Sequence, residues 1–291
     1  MRRLMTLLVV LVCAGCTPTQ FVNAFVSTDL IYLADLSYGE LERQSLDLYL
    51  PVGAPPYPTV IFVHGGYWDS GDKEEYVFLA DALTAEGYAV VIPSYRLVPE
   101  VTFPAYVEDI AQAVDWVLEY AELLELDAAQ VSLMGHSAGA HIAALVTFDG
   151  RYLAAYGREA CELAGFIGLA GPYDFLPLAP DDARARAALG PPEGYFQTQP
   201  INFVSGDAPP TLLATGLADT TVDPRNTLSM AARIEAVGGR VHVATYEGVD
   251  HTGIIGGLSR VARFVAPQVL PDLLAFLQDA AIAPSPCEPS D

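Results

Sequence analysis

The chain has 291 residues, with 36 acidic against 14 basic side chains and a formal net charge of −22. Its surface is therefore anionic, and nucleic acid is excluded as a partner. The length suits one large core and is too short for two comfortable enzyme domains.

Residues 1–16 differ in kind from the rest. Arg2 and Arg3 precede the apolar run Leu4 to Val12, and Ala14-Gly15 are small enough for cleavage, which are the three regions of a secretory signal. The run is too short to span a bilayer as a mature helix. Cys13-Ala-Gly-Cys16 resembles the lipobox of bacterial lipoproteins. That resemblance implies lipidation of Cys16, export to the bacterial cell envelope, and membrane contact through the lipid alone. A plain signal peptide, or an uncleaved anchor, is the alternative. Residues 17–37 carry no strong period and read as a tether. The folded domain is expected over residues 38–283, with 284–291 as a tail.

Ser45-Leu-Asp-Leu-Tyr-Leu50 alternates polar and apolar residues, which predicts a half-exposed strand. Thr59 to Val63 is continuously apolar, as a strand covered on both faces would be, and runs into His64-Gly-Gly-Tyr-Trp68. Lys73 to Glu86 has a helical pattern closed by Gly87, and Tyr88 to Ile92 is a buried strand stopped by Pro93. Pro104 to Leu126 predicts one long amphipathic helix. Val131 to Met134 reads as a buried strand and Ala140 to Phe148 as a helix. Three further strands are expected at Ala164–Ala170, Thr211–Leu217 and Val241–Glu247, and helices at Arg225–Val237 and Val261–Ala280. Strands alternating with helices predict an α/β fold with a mostly parallel sheet, helices on both faces and ligands at the carboxyl ends of the strands.

Between Pro172 and Pro210 the periodicity fails. Eight prolines and the aromatics Tyr173, Phe175, Tyr195, Phe196 and Phe203 predict a small loop-rich cap, because a decorative insertion would leave those rings in water. Tyr173, Phe175, Tyr195 and Phe196, with Trp68, are expected to line a substrate pocket.

Gly135-His-Ser-Ala-Gly139 joins the Val131 strand to the following helix and has the form of a nucleophile elbow. A sharp turn lifts a serine hydroxyl clear of both elements, and glycine two residues before and after it relieves the crowding. In α/β hydrolases the acid and then the histidine follow the serine along the chain. Of the histidines, His242 and His251 lie well downstream; His242 is inside a strand, whereas His251 lies beyond that strand's carboxyl end, so His251 is the expected base. Asp219 leaves the end of the preceding strand and is the expected acid. Asp223 precedes Pro224 and a helix and is better suited to capping it; Asp174 and Asp250 are weaker alternatives. Backbone N–H groups of Ala138, Gly66 and Tyr67 are the expected oxyanion donors. His64 reads as a residue ordering its loop, and His136 and His141 as packing or solvent-facing positions. The scattered cysteines and the histidine spacing suggest no metal site, and no cofactor is expected.

His64-Gly-Gly-Tyr-Trp68, Tyr95-Arg-Leu, Phe103-Pro with Glu108-Asp109, the elbow, Asp219 and His251 together resemble the esterase and arylformamidase branch of the α/β hydrolases, related to hormone-sensitive lipase. The H-G-G-x-W form is similar to that of kynurenine formamidases, in which the second glycine and the residue after it form the oxyanion hole. The resemblance implies a serine hydrolase of small neutral acyl or aryl esters, with formamide hydrolysis as the alternative substrate class. The competing class is a hydrolase-like binding protein that has lost catalysis; such proteins lack a triad member, and none is missing here.

Cys161 precedes the Ala164 strand at its amino end, and a final helix antiparallel to the strands returns the chain to the same side. Processing would remove Cys13 and lipidation would consume Cys16, so a Cys161–Cys287 disulfide is expected in an exported chain.

Overall fold

The structure, a computed structural model, describes residues 18–27, 30–282 and 287. The expected secretory segment and Cys16 lie outside the described residues. A short helix α1 (Pro18–Asn23) leads into an eight-stranded sheet of spatial order β1-β2-β4-β3-β5-β6-β7-β8. The strands are β1 (Ile31–Ser37), β2 (Ser45–Leu50), β3 (Tyr57–Val63), β4 (Ala89–Pro93), β5 (Leu126–His136), β6 (Gly165–Leu169), β7 (Thr211–Gly216) and β8 (Val241–Tyr246). β2 pairs antiparallel with both its neighbours, and β4, β3 and β5 to β8 are mutually parallel. The connecting helices are α2 (Val77–Thr84), α3 (Ala105–Tyr120), α4 (Ala138–Phe148), α5 (Arg151–Ala154), α6 (Ala183–Leu189), α7 (Arg225–Ala236), α8 (His251–Gly256) and α9 (Val269–Ile282).

The apolar runs are continuous because the sheet is buried on both faces. On β3, Ile61 and Val63 pack with Val107, Ile110 and Ile142 of α3 and α4, while Val60 and Phe62 pack with Leu79 of α2 and Leu273 of α9. Successive side chains of a strand point to opposite faces, so one run feeds two cores.

Several boundaries differ from the sequence reading. The predicted Pro104–Leu126 helix ends at Tyr120, because Glu125 adopts a φ of 60° and Leu126 already starts β5. The last predicted helix breaks before Pro267, whose ring disfavours helical geometry at Ala266; a 3-10 turn (Arg263–Val265) precedes α9. Part of the expected tether is an edge strand, β1, paired with β2. β2 is also not half-exposed: Asp47 is buried against the Lys73 ammonium at 2.9 Å, and Lys73 takes Asp35 and Glu74 as further partners at 2.8 Å each. A buried charge with several counter-charges satisfies the polar positions that suggested solvent.

Candidate active site

β5 delivers Ser137 at a φ of 57° and ψ of −125°, and α4 begins at the next residue. A non-glycine residue is strained there, and the turn is held by the Ser137 N–H donating to the Leu169 carbonyl at 2.9 Å. The flanking glycines have different neighbours. A Cβ at Gly135 would strike the backbone of Gly139, whereas one at Gly139 would strike the carbonyls of Val63 and His64, so the second glycine admits the end of β3 rather than the elbow strand.

His251 opens α8 rather than sitting in a loop. Asp250 caps that helix, its Oδ1 accepting the Gly253 N–H at 2.6 Å. The His251 Nε2 lies 2.8 Å from Ser137 Oγ, and its Nδ1 lies 2.7 Å from Asp219 Oδ2. A neutral ring bonded in this way donates from Nδ1 and leaves the Nε2 lone pair for the serine proton. The acid and histidine loops are fastened together: the Ala218 N–H donates to the Val249 carbonyl at 3.0 Å, and Gly216 leaves no room for a side chain against Val249. Asp219 Oδ1 accepts the Thr221 and Val222 N–H groups at 2.8 and 2.9 Å. Burial would raise the Asp219 pKa, but the His251 hydrogen bond and these N–H donors outweigh it and hold the carboxyl below its ordinary range.

The rival carboxylates are elsewhere. Asp223 accepts the Arg225 N–H at 2.9 Å and pairs with its guanidinium at 2.7 Å, so its carboxylate is tied to the first residue of α7. The Asp174 N–H donates to Asn226 Oδ1 at 2.8 Å, and Asp174 lines the cavity without a hydrogen bond to His251.

The loop after β3 carries three consecutive residues at positive φ: Gly66 at 127°, Tyr67 at 52° and Trp68 at 62°. The Gly66 carbonyl closes the turn by accepting the Asp69 and Ser70 N–H groups at 3.1 and 3.0 Å. Tyr67 and Ala138 line the same cavity as Ser137, and Gly66 directly precedes Tyr67. Among the described residues no acceptor takes the N–H of Tyr67 or Ala138.

The cavity holds about 490 Å³ and is walled by Trp68, Phe175, Leu176, Leu178 and Val222. Three of the aromatics expected there are not. Tyr173 is fully buried, because its ring fills the space left by the absent side chains of Gly168 and Gly171. Tyr195 faces a neighbouring groove with Arg186 and Pro192. Phe196 is 60% exposed and meets Phe203 edge-on. Both rings are carried by the 3-10 turn Pro192–Thr198, none of whose residues lines the cavity of Ser137.

Histidines beside the elbow do more than the sequence reading allowed. His136 is buried, with Nε2 against the His251 carbonyl at 3.0 Å. Burial, and then repulsion from His251, lowers its pKa to about 3, so it stays neutral and does not compete as a base. His141 is buried and accepts the Trp68 indole N–H at Nδ1, 3.1 Å away, while Nε2 donates to the Thr198 carbonyl at 2.7 Å. It thereby joins the Gly66 loop, α4 and the cap. His64 is buried and stacked on Tyr95 at 4.4 Å, consistent with a loop-ordering role. Cys161 and Cys287 form the disulfide, with Cα atoms 5.2 Å apart. It spans the one cluster of metal-type ligands found among the described residues, which Glu159 completes.

A mostly parallel sheet, a serine on the turn after its central strand, an acid after β7 and a histidine after β8 define the α/β-hydrolase fold. Residues 46–234 match the BD-FAE family profile, and the chain belongs to that family. It is 26% identical over 293 aligned positions to a probable isoprenylcysteine alpha-carbonyl methylesterase of Arabidopsis thaliana, covering 89% of this chain and 61% of that one. It is 40% identical over 116 residues to the kynurenine formamidase of Danio rerio, 39% of this chain and 38% of that protein. In both cases the chain spans less than two thirds of the relative's length. Among solved structures, esterase B from Lactobacillus rhamnosis, inhibited by a tributyrin phosphonate, superimposes with a TM-score of 0.77 at 21% identity, covering 90% of each chain.

Proposed function

We propose that this chain is a serine hydrolase that cleaves carboxylic esters through an acyl-enzyme. The observation that carries the reading is the unbroken line from Ser137 Oγ to His251 Nε2, and from His251 Nδ1 to Asp219. Ser137 Oγ attacks the acyl carbon as its proton passes to His251 Nε2. The carbonyl oxygen becomes an oxyanion held by the Tyr67 and Ala138 N–H groups, with Gly66 as the third donor. His251 then gives the proton to the leaving alkoxide. Water repeats the sequence on the acyl-enzyme and releases the acid, while Asp219 holds the ring's tautomer and stabilises the imidazolium. The esterases among the relatives and structural neighbours support this reading. A cavity of about 490 Å³ with mostly apolar walls suits small neutral acyl or aryl groups. A fluorophosphonate probe should label Ser137 and abolish hydrolysis of p-nitrophenyl esters; labelling elsewhere, or turnover by Ser137→Ala, would overturn the assignment.

Formamide hydrolysis is the second reading, favoured by the 40% identity to a kynurenine formamidase. Asp174 and Asp182 around the cavity weigh against it, since an amino-acid carboxylate would meet like charge there, while Arg225, which also lines it, is paired with Asp223. Comparing N-formylkynurenine with an uncharged aryl formamide separates formamide chemistry from charge exclusion.

Cys16 is proposed as a lipidated N-terminus that holds the enzyme in the bacterial cell envelope. The support is the Cys13-Ala-Gly-Cys16 segment and the apolar run before it. Cys16→Ser should release the protein from the membrane fraction or leave it unprocessed; a mature start elsewhere without acyl groups would refute the anchor.

A further inference from the structure

We infer that Arg184, on the cap helix α6, is a positioning residue for the oxyanion-binding loop. The inference rests on the ester-hydrolase reading above.

Tyr67 and Trp68 both hold positive φ, at 52° and 62°, a backbone region that residues with side chains rarely occupy. Such conformations persist only where the surroundings over-determine them. The loop is gripped from three directions. Its own turn closes on the Gly66 carbonyl. From the core, the Trp68 indole donates to His141, and the Trp68 carbonyl accepts the Val98 N–H at 2.9 Å. The third grip comes from the cap. Arg184 Nε donates to Asp69 Oδ2 at 2.7 Å, its Nη2 pairs with Oδ1, and its guanidinium lies 4.3 Å from the centre of the Tyr67 ring.

One planar side chain thus clamps a carboxylate with its edge and covers an aromatic ring with its face, a combination that lysine cannot reproduce. The pair is partly solvated, with Arg184 53% and Asp69 26% exposed, so its direct contribution to stability is small. Its contacts fall on the residue that supplies a backbone donor and on one two positions later. The donor must stand where the oxyanion forms, and that charge exists only in the transition state. A seated cap and a formed oxyanion site are therefore coupled through Arg184.

The test uses p-nitrophenyl butyrate with the wild type, Arg184→Gln, Arg184→Lys and Asp69→Asn. Arg184→Gln is expected to lower kcat about tenfold or more, with KM within about twofold and an unchanged melting temperature. Arg184→Lys should recover little. Asp69→Asn should reproduce the loss, and the double variant should be no worse than either single one. Phosphonate inactivation of Ser137 should slow in step with kcat, because the phosphonyl adduct presents an oxygen to the same donors. A wild-type kcat in Arg184→Gln, or a rise in KM alone, would overturn the positioning role while leaving an active, Ser137-labelled enzyme intact. A wild type that turns over no ester and takes no label at Ser137 would overturn the hydrolase reading together with it.

Discussion

His136 Nε2 lies 3.0 Å from the carbonyl oxygen of His251, so the residue before the elbow serine anchors the backbone of the base that faces that serine. Within the G-H-S-A-G run, one side chain is the proposed nucleophile and its neighbour holds the backbone of the proposed proton acceptor. Replacing His136 with Leu leaves the His251 carbonyl without its donor in a buried site, at a cost of about 1–3 kcal/mol. The melting temperature should fall, and kcat should fall further than a loss of folded protein explains. Active-site titration with a phosphonate, which counts competent enzyme, separates the two effects.

Ser137→Ala should reduce kcat by about 10⁶-fold and Asp219→Asn by about 10⁴-fold, as in other serine triads. Asp223→Asn and Asp174→Asn, whose carboxylates do not meet His251, should leave kcat within about tenfold of wild type. A nearly silent Asp219→Asn beside an inactive Asp223→Asn would move the acid.

Three buried histidines should make the fold sensitive to acid. Burial lowers the pKa of His64 to about 4, His136 to about 3 and His141 to about 4, from an ordinary value of 6.5. Between those values the unfolded chain binds protons that the folded chain refuses. Their contribution is complete above pH 6.5 and is lost as pH falls toward the folded values. Near pH 5 three such sites give a slope approaching about 4 kcal/mol per pH unit. Urea unfolding midpoints measured from pH 7.5 down to 4.5 should fall steeply on the acid side; a flat profile there would mean that the rings protonate in place.

The cavity limits how much acyl chain can be buried beside Ser137. Across p-nitrophenyl esters from acetate to palmitate, kcat/KM should peak at short chains and decline past the medium range. Leu178→Ala, which removes part of the wall, should move the peak to longer chains. A rate that climbs steadily with length in the wild type would contradict that limit.

The Cys161–Cys287 bond ties the turn before β6 to the chain beyond α9 across a sequence separation of 126. In the chain-entropy model a loop of that size contributes on the order of 4–5 kcal/mol, and often less in practice. Reductant should therefore lower the melting temperature, and Cys161→Ser should match the reduced protein. Thiol counting on the denatured, unreduced mature chain should find neither cysteine reactive.

What the sequence determined by itself was local or ordered along the chain. Gly135, Ser137 and Gly139 were legible because the turn they make is steric and excludes other residues. The Ser, Asp, His order followed from topology, since each residue leaves the carboxyl end of a successive strand, and the same reasoning brought Cys161 and Cys287 to one end of the sheet. Tertiary structure decided whatever depends on the opposite surface. Tyr173 looked like a pocket residue until Gly168 and Gly171 made room for it in the core, and Asp47 looked solvent-facing until Lys73 reached it. His136, His141 and Arg184 carried no pattern of their own, because their partners His251, Thr198 and Tyr67 stand far away along the chain. A side chain's chemistry can be read from its type, but which atom it meets is set by the packing of segments whose separation no local periodicity records.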